Sequence, residues 1–243
     1  MRRLLTIAAL GAALLTPAAA QAALSTDLDV GVRLIEQPAS QPWEVDLLLG
    51  AALKLGGETL APTTNLAFRF PKATVNPGAA AATCTAKTGT VGRLNVTVCP
   101  AGSKIGTGTA NVKVGEETIP ARLTFYRGPG TAKKLAIYIK AEGGAALGIT
   151  VTLKGTLQRI SEGSFGYRFD LPVPKIPVGT AAVVRLMDFQ VDVGTRGGKR
   201  PPFIQAPRSC PRGGFPFTIA WTVEGGKTVT DRKAISCVIS ATD

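Results

Sequence analysis

The stretch Cys99-Pro100-Ala101-Gly102-Ser103-Lys104-Ile105-Gly106-Thr107-Gly108-Thr109-Ala110 sets one lysine among glycines and hydroxyl side chains. Backbone N–H groups left open by glycine, with a lysine nearby, are a common way to cradle a phosphate. The spacing here argues against that chemistry. Gly106-Thr107-Gly108 opens like G-x-G-x-x-G, but Asn111 holds the place of the last glycine. Lys104 precedes the glycines, whereas a P-loop lysine follows the final one. No helical pattern follows to supply an anion-binding dipole. The stretch reads as a turn over Pro100 to Ser103 and then a strand from Ile105 to Val114, with Lys104 a candidate anion contact at most.

Paired carboxylates are the next chemistry to weigh. Asp188 and Asp192 fall on one face of an alternating segment. Four residues of strand separate their Cα atoms by roughly 13 Å. Glycoside hydrolysis wants its two carboxyl groups about 5 to 9.5 Å apart. A carboxylate-dependent glycan hydrolase is therefore the alternative, not the leading function. The plainer reading is a polar outer face, with Arg168 or Arg185 opposite as cross-strand ion partners.

The chain contains no histidine. That excludes Ser-His-Asp and Cys-His nucleophilic sites, and histidine-bearing zinc or iron sites. No C-x-x-C pair is present either. No metal, no cofactor and no catalytic residue is expected. Cys84, Cys99, Cys210 and Cys237 allow three disulfide pairings. The simplest is Cys84–Cys99 with Cys210–Cys237, one local staple in each half. A closed loop of ~15 residues contributes roughly 3 kcal/mol by chain entropy.

Between Gly194 and Arg212 lie Arg196, Lys199, Arg200, Arg208 and Arg212, with no acidic residue among them. Glycine and proline make this an exposed loop, and it is the candidate anion contact. Nucleic acid is not expected as a partner, because no aromatic platform is interleaved with the charge. Exposed aromatics for sugar binding are few. Trp43 and Tyr138 are the candidates, while Trp221 lies on an apolar face and reads as core.

Residues 1–22 carry the layout of a secretory signal peptide. Arg2 and Arg3 precede an apolar run from Leu4 to Leu15 that is too short to span a bilayer. Of two A-x-A sites, cleavage after Ala22 is preferred. No cysteine precedes Cys84 for lipid attachment, and no later stretch reads as a transmembrane segment. The expected protein is secreted, either released or held at the cell surface without a covalent anchor. Losing Arg2 and Arg3 lowers the basic residues from 28 to 26 against 16 acidic, a mature net charge of +10. Such a field favours anionic cell-wall polymer or lipid head groups as partners.

The elements that must hold these residues are strands. Leu66 to Phe70, Leu135 to Ile139, Ile149 to Leu153, Tyr167 to Leu171, Met187 to Val193 and Phe217 to Val223 all alternate apolar and polar. Val45 to Lys54 reads as a buried strand in that company. Gly115-Glu116-Glu117 and Gly225-Gly226 read as hairpin turns. One greasy and one polar face per strand is the pattern of antiparallel sheets packed face to face. The predicted fold is an all-β antiparallel β-sandwich of roughly ten disulfide-stapled strands over 23–243. It is read as one unit, the alternative being two subdomains meeting near 128–132 at Gly128-Pro129-Gly130.

Several motifs are distinctive as a set. They include Phe68-Arg69-Phe70-Pro71-Lys72, Cys99-Pro100 with Ser103-Lys104-Ile105-Gly106 and Gly108, Leu171-Pro172-Val173-Pro174, Asp188-Phe189, and Thr230-Asp231 before Cys237. Together they resemble an uncharacterised family of secreted all-β proteins from high-GC Gram-positive bacteria with a C-P-x-x-S-K-I-G-x-G motif, over about Leu66 to Cys237. The resemblance implies export and an all-β fold, and brings no activity, ligand or catalytic residue with it. It agrees with the two-staple pairing. The leading expectation is an exported, non-enzymatic β-protein that binds anionic envelope components. Lipid carriage between the sheets is a further alternative, and it requires a large apolar cavity.

Overall fold

A computed structural model describes residues 24–35, 43–55, 61–85, 99–143, 150–178, 182–194, 202–207 and 211–236. The strands in chain order are β1 (Ser25–Ile35), β2 (Trp43–Lys54), β3 (Thr63–Pro71), β4 (Thr74–Val75), β5 (Lys104–Val114), β6 (Glu117–Thr131), β7 (Lys134–Gly143), β8 (Thr150–Glu162), β9 (Phe165–Pro172), β10 (Pro177–Val178), β11 (Ala182–Val183), β12 (Arg185–Val193), β13 (Ile204–Ala206), β14 (Phe215–Val223) and β15 (Thr228–Ile235). No α-helix occurs among the described residues. The turn after Cys99 is a short 3-10 turn, Ala101–Ser103, and β5 follows it as the alternation predicts.

The fold is all-β and antiparallel, as expected, but the strands do not divide into the two stacked sheets of the expected sandwich. Thirteen of them belong to one sheet, curled into a nearly closed barrel. Its wall runs β1-β2-β12-β5-β6-β7-β8-β9-β3-β14-β15, every neighbouring pair antiparallel. Period-two alternation states only that each strand has one apolar face. It does not say whether that face is covered by a second sheet or by the far wall of the same one. The Gly128-Pro129-Gly130 stretch lies within β6, where a register shift bends the strand before its hairpin into β7. The buried residues from β1 to β15 form one continuous core.

Strand directions dictate how the barrel closes. Eleven alternating strands leave the first and last pointing the same way. β1 therefore meets β15 in parallel, and among the described residues no backbone ladder joins them. Side chains bridge this seam instead. The backbone N–H of buried Leu28 donates to Asp231 Oδ2 at 2.7 Å, and Lys233 Nζ pairs with Asp29 Oδ1 at 2.8 Å. The Lys233 ammonium, first by hydrogen bonding and then by charge, holds the Asp29 carboxyl below the usual carboxylate range.

Four connections jump across the barrel, from β2 to β3, β3 to β5, β9 to β12 and β12 to β14. The chain leaves β9 and re-enters at β12 by way of the β10–β11 hairpin across one end of the barrel. At the other end β4 pairs with β13, and β13 with the start of β2. The disulfide sits outside the wall at that end. Cys84 and Cys99 are bonded, pack on Tyr126 and Tyr138, and are tied to β6 by Cys84 N–H donating to the Arg127 carbonyl at 2.8 Å. Cys210 and Cys237 lie outside the described residues.

The seam generates a ranked expectation. Asp231→Ala takes a charged acceptor from a buried N–H and should lower stability by about 1.5 to 3 kcal/mol in a urea titration. Lys233→Ala removes an exposed pair and should leave the midpoint nearly unchanged. Because the folded Asp29 pKa is depressed, its contribution exists above the unfolded carboxylate value and fades as pH falls through the lower folded one. The small difference between Lys233→Ala and the native protein should therefore be present above about pH 4 and vanish on further acidification.

Candidate functional site

The inward faces of the strands enclose an apolar cavity of about 320 Å³. Leu47 and Leu49 of β2, Leu123 of β6, Ile139 of β7, Leu153 of β8 and Val191 of β12 contribute to its wall from around the ring. Each stands at an alternate position of its strand, so the period of the sequence is the cause of the apolar lining. Small inward residues explain why space remains. Ala110, Ala121 and Ala141 line the cavity on β5, β6 and β7. Gly106 and Gly108 of β5 and Gly155 of β8 share the inward register, paired with Phe125, Leu123 and Ile137, but the β12 backbone and the Phe169 ring fill the places their side chains would take.

Large aromatics fill the rest. Phe68 of β3 meets Phe189 of β12 edge to face, ring centroids 5.8 Å apart, although these strands stand on opposite walls. Phe189 continues to Trp221, centroids 6.0 Å apart. Trp221 is fully buried, as its apolar face implies, and its indole N–H donates to Thr63 Oγ1 at 2.8 Å. The barrel is thus packed solid where Phe68, Phe189 and Trp221 meet and hollow beside them.

The cavity runs toward the end where β3 finishes. There its lining includes Pro71, Lys72, Pro207 and Ser236. The pairing of β3 with β9 shifts register between Phe70 and Pro71. Gly166 permits the close passage that follows, since a Cβ there would stand 2.7 Å from the Lys72 Cα. Across the opposite end, Ile176 and Val184 flank the β10–β11 hairpin and complete the lining. That hairpin is tied to the β14–β15 turn by the ion pair Lys175–Glu224.

The residues singled out by sequence fall elsewhere. The Gly106 and Gly108 pair serves close packing. A Cβ on either would strike the backbone of β12, at the carbonyls of Asp192 and Gln190. Asp188 and Asp192 alternate with the cavity-lining Phe189, Val191 and Val193, which puts them on the outer face. Asp188 accepts from Asn111 Nδ2 at 2.9 Å. The expected partner Arg168 instead pairs along its own strand with Asp170, at 2.7 Å. Tyr138, a candidate exposed aromatic, is buried beneath the disulfide, because it faces outward where residues 84 and 99 cross the wall. Arg212 is exposed, while Arg196, Lys199, Arg200 and Arg208 lie outside the described residues.

The cavity is the feature that reading residue by residue missed. Its signal was present as alanine on the inward register of three adjacent strands, Ala110, Ala121 and Ala141 of β5 to β7. Compared with known protein families, with curated proteins and with solved structures, the chain matches none.

Gly155 offers a direct check on this packing. A methyl there would overlap the Phe169 ring from the neighbouring strand. Gly155→Ala should cost about 1 to 3 kcal/mol in chemical denaturation, the usual penalty of overpacking. An unchanged midpoint would mean that Phe169 does not lie across β8.

Proposed function

We propose that the mature protein is an exported, non-enzymatic carrier that holds an apolar ligand inside the barrel. The observation that carries this reading is the cavity of about 320 Å³, walled by aliphatic and aromatic side chains from strands all around the ring. Protein interiors are close-packed, and a void of this size leaves its lining without contact partners. Its volume falls at the lower end of the range for small-molecule sites. An apolar occupant restores the lost dispersion contacts and leaves no polar group unpaired.

The outer face supports carriage in water rather than residence in a bilayer. Arg122 of β6, Lys154 of β8 and Gln190 of β12 are exposed on the side opposite the apolar interior. A membrane barrel has the reverse pattern, apolar outside and polar within. No helix among the described residues is long and apolar enough to cross a membrane. The signal-peptide layout of residues 1–22 and the Cys84–Cys99 bond support export to an oxidising compartment, where disulfides persist. The net positive charge of the mature chain would bring such a carrier to the anionic polymers and lipids of an envelope. Release there needs no chemistry, so the lack of histidine is no obstacle.

The test uses the purified mature protein and N-phenyl-1-naphthylamine, an uncharged probe that fluoresces when removed from water. Saturable binding near one site per chain is expected. Leu153→Trp fills part of the cavity and should reduce probe affinity at least tenfold, with thermal stability kept or raised. Absence of saturable binding, or equal binding by Leu153→Trp, would overturn the proposal.

A further inference from the structure

The lining of the cavity contains one charged side chain among the described residues, Lys72. Its position is built. β3 ends in a register shift, and the bare Cα of Gly166 lets the chain pass close by, with a virtual Cβ 3.2 Å from Lys72 Cγ. Three other cations toward this end of the barrel are engaged. Arg69 pairs with Glu162 at 3.4 Å, Arg168 pairs with Asp170, and Arg232 lies 5.8 Å from the centroid of Phe165. Lys72 has no ion partner among the described residues and is exposed to solvent as well as to the cavity.

Ser236 is the companion. It also lines the cavity, and it follows the last residue of β15. β3 and β15 both flank β14, so Lys72 and Ser236 stand about two strand spacings apart, ~10 Å, on the rim. An ammonium and a hydroxyl therefore border an opening whose depth is hydrocarbon-like. That combination fits a molecule with one anionic end and one long apolar end. The modest volume fits one chain.

We infer that the occupant is a single-chain anionic amphiphile, its tail in the barrel and its carboxylate or phosphate at Lys72. This inference rests on the carrier reading above. The apolar wall supplies affinity without regard to the head group, and Lys72 supplies the preference for negative charge. An ammonium whose partner stays in contact with water gives a modest, salt-sensitive selectivity. A neutral head would gain nothing from it, and a cationic head would be repelled.

The experiment is displacement of N-phenyl-1-naphthylamine by dodecanoate, dodecyl phosphate, dodecanol and dodecyltrimethylammonium, each below its micelle concentration, at low salt. The native protein should bind the two anions about five- to tenfold more tightly than dodecanol, and the cation least. The ratio of dodecanoate to dodecyl phosphate tells carboxylate from phosphate ligands. Lys72→Gln should erase the anion preference and leave naphthylamine and dodecanol binding unchanged, which also reports that the variant is folded. Lys72→Arg should keep the preference. Lys113→Gln removes an equal charge at the opposite end of the barrel and should also keep it, which separates a local contact from the net charge of the protein. Equal binding of dodecanoate and dodecanol by the native protein, or a preference that survives in Lys72→Gln, would overturn this inference and leave the carrier reading standing. Failure of the uncharged probe to bind at all would overturn both.

Discussion

The Asp231 carboxylate accepting the Leu28 N–H is the contact on which barrel closure turns. It is needed because the wall has an odd number of strands. Antiparallel neighbours alternate in direction, so an eleven-strand ring must contain one parallel junction, and β1 against β15 is that junction. Parallel strands bond with a different, slanted geometry. At this junction the ladder is replaced by one carboxylate-to-backbone bond, one exposed ion pair and apolar packing. The apolar lining is covered on this side only while the seam is shut. An edge strand left open on either side would expose both unpaired backbone and the apolar lining.

The second constraint is the crossing of the barrel ends. β9 and β12 stand on opposite walls, as do β3 and β5, and β12 and β14. The chain must cross an end of the barrel each time it passes between such strands, so neither end is a simple rim of hairpin turns. The β10–β11 hairpin covers one end, and β4 with β13 narrows the other. Val75 of β4, Ile204 of β13 and Phe203 just before it all line the cavity. The local Cys84–Cys99 staple belongs to the same economy. It packs Cys84 and Cys99 against Tyr138 on the outside of the wall.

Much of this was legible from residue types. The strand positions, the turns at Gly115 and Gly225-Gly226, the burial of Trp221 and the Cys84–Cys99 pairing all follow from alternation, from glycine at positive φ and from spacing. The closure was not legible. Alternation is a property of one strand and its two faces, while the order β9-β3-β14 joins segments about 100 and about 150 residues apart, which no local pattern encodes. The cavity lay between these cases. Each small inward residue, such as Ala110 or Ala121, looks like an ordinary strand residue alone. Only when β5 to β7 are set side by side do they mark missing volume. The Asp188 and Asp192 pair drew notice because charge is conspicuous in a sequence. Lys72 did not, because its meaning comes from a register shift and a glycine on another strand.

The central claim is that the space within the closed sheet is a ligand site. Intermolecular nuclear Overhauser effects from a bound aliphatic chain to labelled methyl groups test it most directly. Contacts are expected to Leu49, Leu123, Ile139 and Leu153, which come from four separate strands and meet only inside the barrel. Contacts confined to outward-facing residues, with the methyls of these four unperturbed, would contradict it.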